Sequence, residues 1–288
     1  MNNFVIYTDS GCDITPEILA QWDVAWSSLS FRFEDEEVEY TSQDMSVTEF
    51  YDRMRAGGSA KTAAVNIGTF QDAFEPILQQ GKDILYIGFS SALSTTYNSA
   101  AIAAKQLAAQ YPERKVIVID SLCASAGQGM LVYFAAQKRD EGATIEETAA
   151  YLEDIKLSIA HWVTVDDLEY LKRGGRISPT VAFVGNALGL KPQIHVDNGG
   201  CLVSVSKVRG RKKSIAALAD KYEELAKDPN SGTVFISHSD CEEDAKMLSD
   251  MLKERFGVDT QIITYIGTVI GAHTGPGTVA LFFVAKER

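Results

Sequence analysis

Hydrophobic and polar positions follow two regimes along this chain. Up to about residue 158, short unbroken apolar runs alternate with longer helical stretches. Phe4 to Thr8, Asp83 to Phe89 and Lys115 to Asp120 read as strands. Continuous apolar runs of this kind suit a parallel sheet covered on both faces. Between them lie helix signals: Thr15 as an N-cap with Pro16 in the first turn, and the capping-box pattern Ser46-Val47-Thr48-Glu49, closed by Gly57 or Gly58. Ala-rich runs predict helices from Ser94 to Gln110 and from Ser125 to about Asp140, and Thr144-Ile145-Glu146-Glu147 opens another.

Beyond that helix the pattern changes. His161 to Val165 reads as a strand, and Asp197-Asn198-Gly199-Gly200 is a hairpin turn joining Lys191 to Val196 with Cys201 to Val208. Thr233 to Ser237, Thr260 to Tyr265 and Val279 to Ala285 supply further strands. The expected architecture is α/β: a parallel-sheet domain over residues 1–158, then an α+β domain over 159–288.

Charge and cysteine usage narrow the partners. A formal charge of -12 argues against nucleic acid and anionic lipid surfaces, both of which select basic proteins. No run approaches the ~18 apolar residues of a membrane span, and no secretory leader is visible. Cys12, Cys123, Cys201 and Cys241 are scattered, which reads as reduced thiols in a cytoplasmic protein.

Candidate chemistry gathers where strands end. Asp9-Ser10-Gly11-Cys12-Asp13 follows the first strand, where the ligands of open α/β sheets collect, although a plain turn uses the same residues. Ser90-Ser91-Ala92-Leu93-Ser94-Thr95-Thr96-Tyr97 opens a helix, whose free N–H groups suit a carboxylate or phosphate. It holds more hydroxyls than a cap needs. Lys61-Thr62-Ala63-Ala64 reads as a loop between two helices. In Gly271-Ala272-His273-Thr274-Gly275-Pro276-Gly277-Thr278, glycines around a proline imply a tight turn. It carries an imidazole able to donate to a carboxylate or to take a proton near neutrality. The four histidines show no metal-ligand spacing. Neither G-x-x-x-x-G-K-[ST] nor G-x-G-x-x-G occurs, so the standard ATP and NAD loops are absent. Two basic clusters, Lys172-Arg173-Gly174-Gly175-Arg176 and Lys207 to Lys213, are helix-end compensation or a partner-facing rim. A hydrolase built on Asp9, Ser94 and His273 is a rival reading, although Gly88-Phe89-Ser90-Ser91-Ala92 lacks the second glycine of G-x-S-x-G. A non-catalytic lipid sensor is another.

Together, Thr8 to Asp13, Lys61-Thr62, Leu93 to Tyr97, Asp167 to Ser178 and Gly271 to Gly277 resemble the DegV family of bacterial fatty-acid-binding proteins. The resemblance runs over nearly the whole chain. It implies a Rossmann-like first domain, an α+β second domain and a ligand between them. It further implies a carrier with no activity of its own, which presents one long-chain fatty acid to a separate ATP-binding kinase subunit for phosphorylation toward phospholipid synthesis. No cofactor beyond the bound fatty acid is implied. The family's carboxylate contacts fall on Thr62, Ser94 and His273, with Arg209 or Arg211 in support and Thr95 nearby. Asp9 and Ser10 would line the cleft, and Lys172, Arg173, Arg176 and Lys212 would dock the partner. Two departures stand out: Thr95 replaces a glycine found in many relatives, and Ala63-Ala64-Val65 replaces Ser-Gln-Pro. The tail is expected in a tunnel within the first domain, with the headgroup at the domain seam.

Overall fold

A computed structural model of the chain describes residues 4–166, 168–177 and 189–288; Asp167 and Ser178, the ends of one matching segment, lie outside these. The first half is built on a parallel sheet in the order β2-β1-β6-β7, formed by β1 (Phe4–Asp9), β2 (Val24–Ser27), β6 (Asp83–Gly88) and β7 (Val116–Asp120). Side chains alternate across it. Ile6, Leu85 and Ile87 enter one core cluster, while Tyr7, Ile84 and Tyr86 enter another. Both faces are therefore buried, which is why these strands read as unbroken apolar runs.

Helices α3 (Ile67–Gln79) and α4 (Thr96–Gln110) cover one face through Phe70, Phe74, Ala100, Ala103 and Leu107. Helices α5 (Ala126–Asp140) and α6 (Ile145–Ile155) cover the other through Met130, Leu131, Ala149 and Leu152. The capping signals lie where expected. Thr15 caps α1 (Pro16–Gln21), Ser46 accepts from Glu49 N–H at the start of α2 (Val47–Arg55), and Thr144 with Glu147 closes both halves of the box on α6.

Three strands escaped the sequence pattern alongside β2. A small antiparallel sheet, β4-β3-β5, is made of β3 (Ser30–Phe33), β4 (Tyr40–Thr41) and β5 (Ala60–Ala63). The segment read as a loop at Lys61-Thr62 is thus a strand, with Thr62 opposite Phe31.

The second half is a six-stranded mixed sheet in the order β10-β9-β8-β13-β11-β12. Its strands are β8 (Ile159–Thr164), β9 (Leu190–Val196), β10 (Leu202–Arg209), β11 (Val234–His238), β12 (Ile262–Tyr265) and β13 (Val279–Val284). The hairpin turn forms as predicted, with Asp197 Oδ1 accepting from the Gly199 and Cys201 amides at 2.9 Å. The short helix α7 (Glu169–Arg173) lies between β8 and β9. Helices α8 (Arg211–Leu225) and α9 (Glu242–Phe256) pack on one face, where Leu218, Tyr222, Leu248 and Leu252 meet Ala160, Trp162 and Phe283. Helix α10 (Thr268–Thr274) reaches back to the first half, placing Val269 and Ala272 in the cluster of Phe31 and Phe50.

The two sheets share one helix. α5 packs on β1 and β6 from one side and on Phe235, Ala280 and Phe282 of the second sheet from the other. Ten of its fifteen residues are buried, among them every residue from Ala126 to Val132, so its first half has no solvent face to show as amphipathicity. Gly127 and Gly129 permit the close approach. A Cβ on the first would sit 2.1 Å from His161 Nε2, and one on the second 2.5 Å from Ile14. Among the described residues, no helix is long and apolar enough to cross a membrane.

Candidate functional site

Between the two sheets, where β5, the N-terminus of α4 and the C-terminus of α10 converge, lies a cavity of about 400 Å³. That is within the range of small-molecule sites. The largest single share of its apolar wall is the face of the second sheet that looks toward the first. Val163 and Val165 from β8 and its end, Ile194 and Val196 from β9, Leu202 from β10 and Phe282 from β13 all line it. Leu29, Phe89 and Leu93 close it from the first half. The cavity therefore lies between the sheets, with residues of both halves in its wall, and not in a tunnel within the first domain as expected. The Ala-rich face of α4 is spent on packing instead, with Ala100 and Ala103 fully buried in the core.

One end of the cavity is polar. Thr62 on β5 and His273 in the last turn of α10 meet there, with Thr62 Oγ1 and His273 Nε2 2.8 Å apart. The other ring nitrogen, Nδ1, is buried with no hydrogen-bond partner among the described residues. If the Thr62 hydroxyl donates to Nε2, Nδ1 carries the proton and is a donor without an acceptor. Burial, reinforced by the nearby Arg176 cation, lowers the His273 pKa to about 4. The imidazole is therefore neutral at pH 7, and proton uptake near neutrality, one of the roles read from the sequence, does not occur. The ring packs against bare backbone, since a Cβ on Gly174 would stand 2.1 Å from Nδ1. The turn after α10 also needs its glycines. Gly275 and Gly277 have φ of 75° and 78° and lie against Tyr170 and Asp166.

Ser94 and Thr95 reach the same end from the α4 turn. The Leu93 and Ser94 amides donate to Ser90 carbonyl, and Ser94 Oγ accepts from Thr96 N–H at 3.3 Å. Ser90 Oγ donates to Gly200 carbonyl at 2.9 Å, tying this turn to the hairpin of the second sheet. Thr95 has φ of -79°, an ordinary right-handed value, so no glycine is required there. Its exposed side chain makes no cap bond and borders the cavity.

Arg176 is the cation of this site. It lines the cavity, donating from Nε to Leu93 carbonyl at 3.1 Å and from Nη1 to Gly174 carbonyl at 2.6 Å. Burial depresses its pKa, and among the described residues no carboxylate forms an ion pair with it. Lys172, Arg173 and Lys212 are exposed, so Arg176, grouped with them by sequence, belongs to a different surface. The supporting role assigned to Arg209 or Arg211 is not what the geometry offers. Arg209 is exposed at the end of β10, and Arg211 pairs with Asp244 at 2.8 Å. Arg211 lines a separate cleft with Arg55, Lys191 and Asp240, beyond the Pro276-Gly277 turn.

Asp9 and Ser10 do not line the cavity either. Asp9 is fully buried behind it, accepting from Tyr86 hydroxyl at 2.6 Å and from the Phe89 and Gly11 amides. Ser10 Oγ accepts from Leu29 N–H at 3.0 Å. Both hold wall residues in place. The Asp9, Ser94 and His273 trio of a hydrolase is not assembled: Ser94 bonds Thr96, His273 bonds Thr62, and Asp9 bonds neither. Among the described residues, no cluster of His, Cys, Asp or Glu is arranged to ligate a metal ion.

Beside Ser125 of the cavity wall, Asp13 joins the two halves. Its carboxylate accepts from Ser125 hydroxyl at 2.5 Å and Gly267 amide at 2.9 Å, and Thr264 hydroxyl donates to its carbonyl at 2.8 Å. Burial raises its pKa to about 7. A period-two stripe was the available signal for the missed wall: His161, Val163 and Val165 on one strand, Thr278, Ala280 and Phe282 on another.

Comparison with known proteins gives a consistent picture. The family described as "Uncharacterised protein, DegV family" matches residues 3–286. A DegV domain-containing protein of Clostridium perfringens is 42% identical, over 100% of this chain and 99% of the relative. Among solved structures, a DegV lipid-binding protein from Thermotoga maritima has a TM-score of 0.88 at 30% identity, covering 100% of both chains. A stearic acid-binding protein from Eubacterium ventriosum has a TM-score of 0.88 at 28% identity, covering 98% of each chain.

Proposed function

The chain belongs to the DegV family, and from that premise we propose that it is a cytoplasmic fatty-acid carrier. One long-chain acid lies between the sheets with its carboxylate at Thr62, Ser94, Thr95, Arg176 and His273. A separate ATP-binding kinase subunit phosphorylates it there, docking on the exposed Lys172, Arg173 and Lys212. The observation that carries this reading is the cavity itself: an apolar wall of valine, isoleucine, leucine and phenylalanine ending in the hydroxyls of Thr62, Ser94 and Thr95, a neutral imidazole and an arginine with no acidic partner among the described residues.

The energetics favour an amphiphile with one anionic end. Burying an acyl tail contributes ~0.8 kcal/mol per methylene, a gross term near ~12 kcal/mol for about sixteen carbons, reduced by the cost of association. The carboxylate must be compensated on burial, and Arg176, the Thr62 and Ser94 hydroxyls and the His273 N–H supply charge-assisted hydrogen bonds. Because His273 is neutral, the one full positive charge among these is Arg176. The likeness to a stearic acid-binding protein supports the ligand class.

Native mass spectrometry of freshly purified protein, followed by denaturation and lipid identification, tests the reading. A single co-purifying fatty acid is expected, lost when Thr62→Ala and Ser94→Ala are combined. A protein that arrives empty and takes up no fatty acid on incubation would refute it.

A further inference from the structure

The second sheet gives the cavity a direction. β8 and β13 pair with Val163 opposite Ala280 and His161 opposite Phe282. β9 places Ile194 opposite Val163, and Leu202 stands opposite Val196. Thr278, whose hydroxyl donates to the Thr274 and Gly275 carbonyls, marks the His273 end. From Thr278 to Phe282 is four residues, about 13 Å at ~3.3 Å per residue. The row containing Phe282, His161, Val196 and Leu202 therefore lies remote from the carboxylate groups.

His161 is the polar member of that row, and its polarity is fully used. Ala124 N–H donates to Nε2 at 3.2 Å, so Nδ1 carries the proton and donates to Ile159 carbonyl at 2.9 Å. The ring is 1% exposed, with Phe282 edge-on at 5.2 Å and the Gly127 backbone against Nε2. It spans from β8 to the start of α5, fixed by backbone at both nitrogens. Two residues back on the same face of β8, Ile159 is fully buried in the shared core and does not line the cavity.

We infer that His161 is the end stop of the acyl channel, so that its ring sets the longest straight tail the protein accepts. The inference rests on the fatty-acid reading above. An aliphatic side chain could swing aside for a longer tail, whereas a ring bonded to backbone on both sides cannot without losing two buried hydrogen bonds.

The test is competition binding with a series of saturated straight-chain acids from laurate to arachidate. In His161→Val, which removes the ring and keeps a strand-forming residue, the tightest-binding member is expected to move to a longer acid. Each further pair of methylenes accommodated should tighten binding about tenfold. His161→Phe keeps ring volume but loses both backbone bonds that hold it, so its optimum is expected to lie between those of the native protein and His161→Val. Should His161→Val fail to fold, His161→Leu replaces the fixed ring with a chain that can swing aside and is expected to shift the optimum in the same direction. An unchanged optimum in a folded His161→Val or His161→Leu protein would overturn the end-stop role. Native protein that binds no member of the series would instead strike at the fatty-acid reading itself.

Discussion

At the polar end of the cavity and beside its wall, single side chains are set by burial rather than by their ordinary solution chemistry. His273 is held neutral, with a pKa of about 4, so its imidazole resonances are expected to stay those of the neutral ring from pH 8 down to about pH 5. Nitrogen-detected NMR of the native protein checks this, and titration near 6.5 would contradict it. Asp13 behaves in the opposite sense. Its folded pKa of about 7 lies well above the ordinary aspartate value, so its contribution to stability is fully present below about pH 4 and lost as pH rises through 7. Asp13→Asn can accept from the Gly267 amide and donate to Ser125. It is expected to raise stability at pH 8 by on the order of 2–4 kcal/mol and to change it little at pH 4, as read by denaturant midpoints. The sequence exposed much of this site. Thr62, Ser94 and His273, far apart along the chain, do converge on one cavity end. It misassigned Arg176, because a lysine-arginine cluster reads the same whether its last member points to solvent or into a cleft. It also misplaced Asp9 and Ser10, since a residue that holds a wall and one that forms it occupy the same loop.

Among elements, legibility followed local signal strength. Strands buried on both faces were clear, as were helices with Thr15 or Thr144 at their start. β5 was not, because Ala60 to Ala63 has no apolar run and pairs only in a three-stranded sheet. Helix α10 was hidden by its seven-residue length and by the Gly275-Pro276-Gly277 turn that follows. The cavity was illegible for a different reason: its wall alternates across four strands whose register no single segment specifies. Helix α5 was predicted in place, but not its position between two sheets. That position makes a further expectation. Gly127→Ala should gain ~1 kcal/mol of helix propensity yet lose more by driving a methyl into the His161 ring, for a net loss of about 1–2 kcal/mol in urea unfolding. A net gain would show that the helix has room to shift.

At the scale of the molecule, α5 packs on both sheets, so they are expected to unfold as one cooperative body even though they occupy successive halves of the sequence. With Trp22 and Trp26 replaced by Phe, Trp162 alone reports the second sheet, and its urea transition is expected to coincide with that of total helix content. Separate midpoints would mean that the shared core does not couple the halves. The order β10-β9-β8-β13-β11-β12 carries a consequence for the newborn chain. The strand at the heart of the second sheet, β13, is the last of its six strands to leave the ribosome. Until it arrives, β8 and β11 have no neighbour between them, and α5 waits with one side uncovered. Synthesis therefore passes through a long interval in which the first sheet can form while the surface destined to meet the second stays bare. That interval is when the chain has most need of a chaperone.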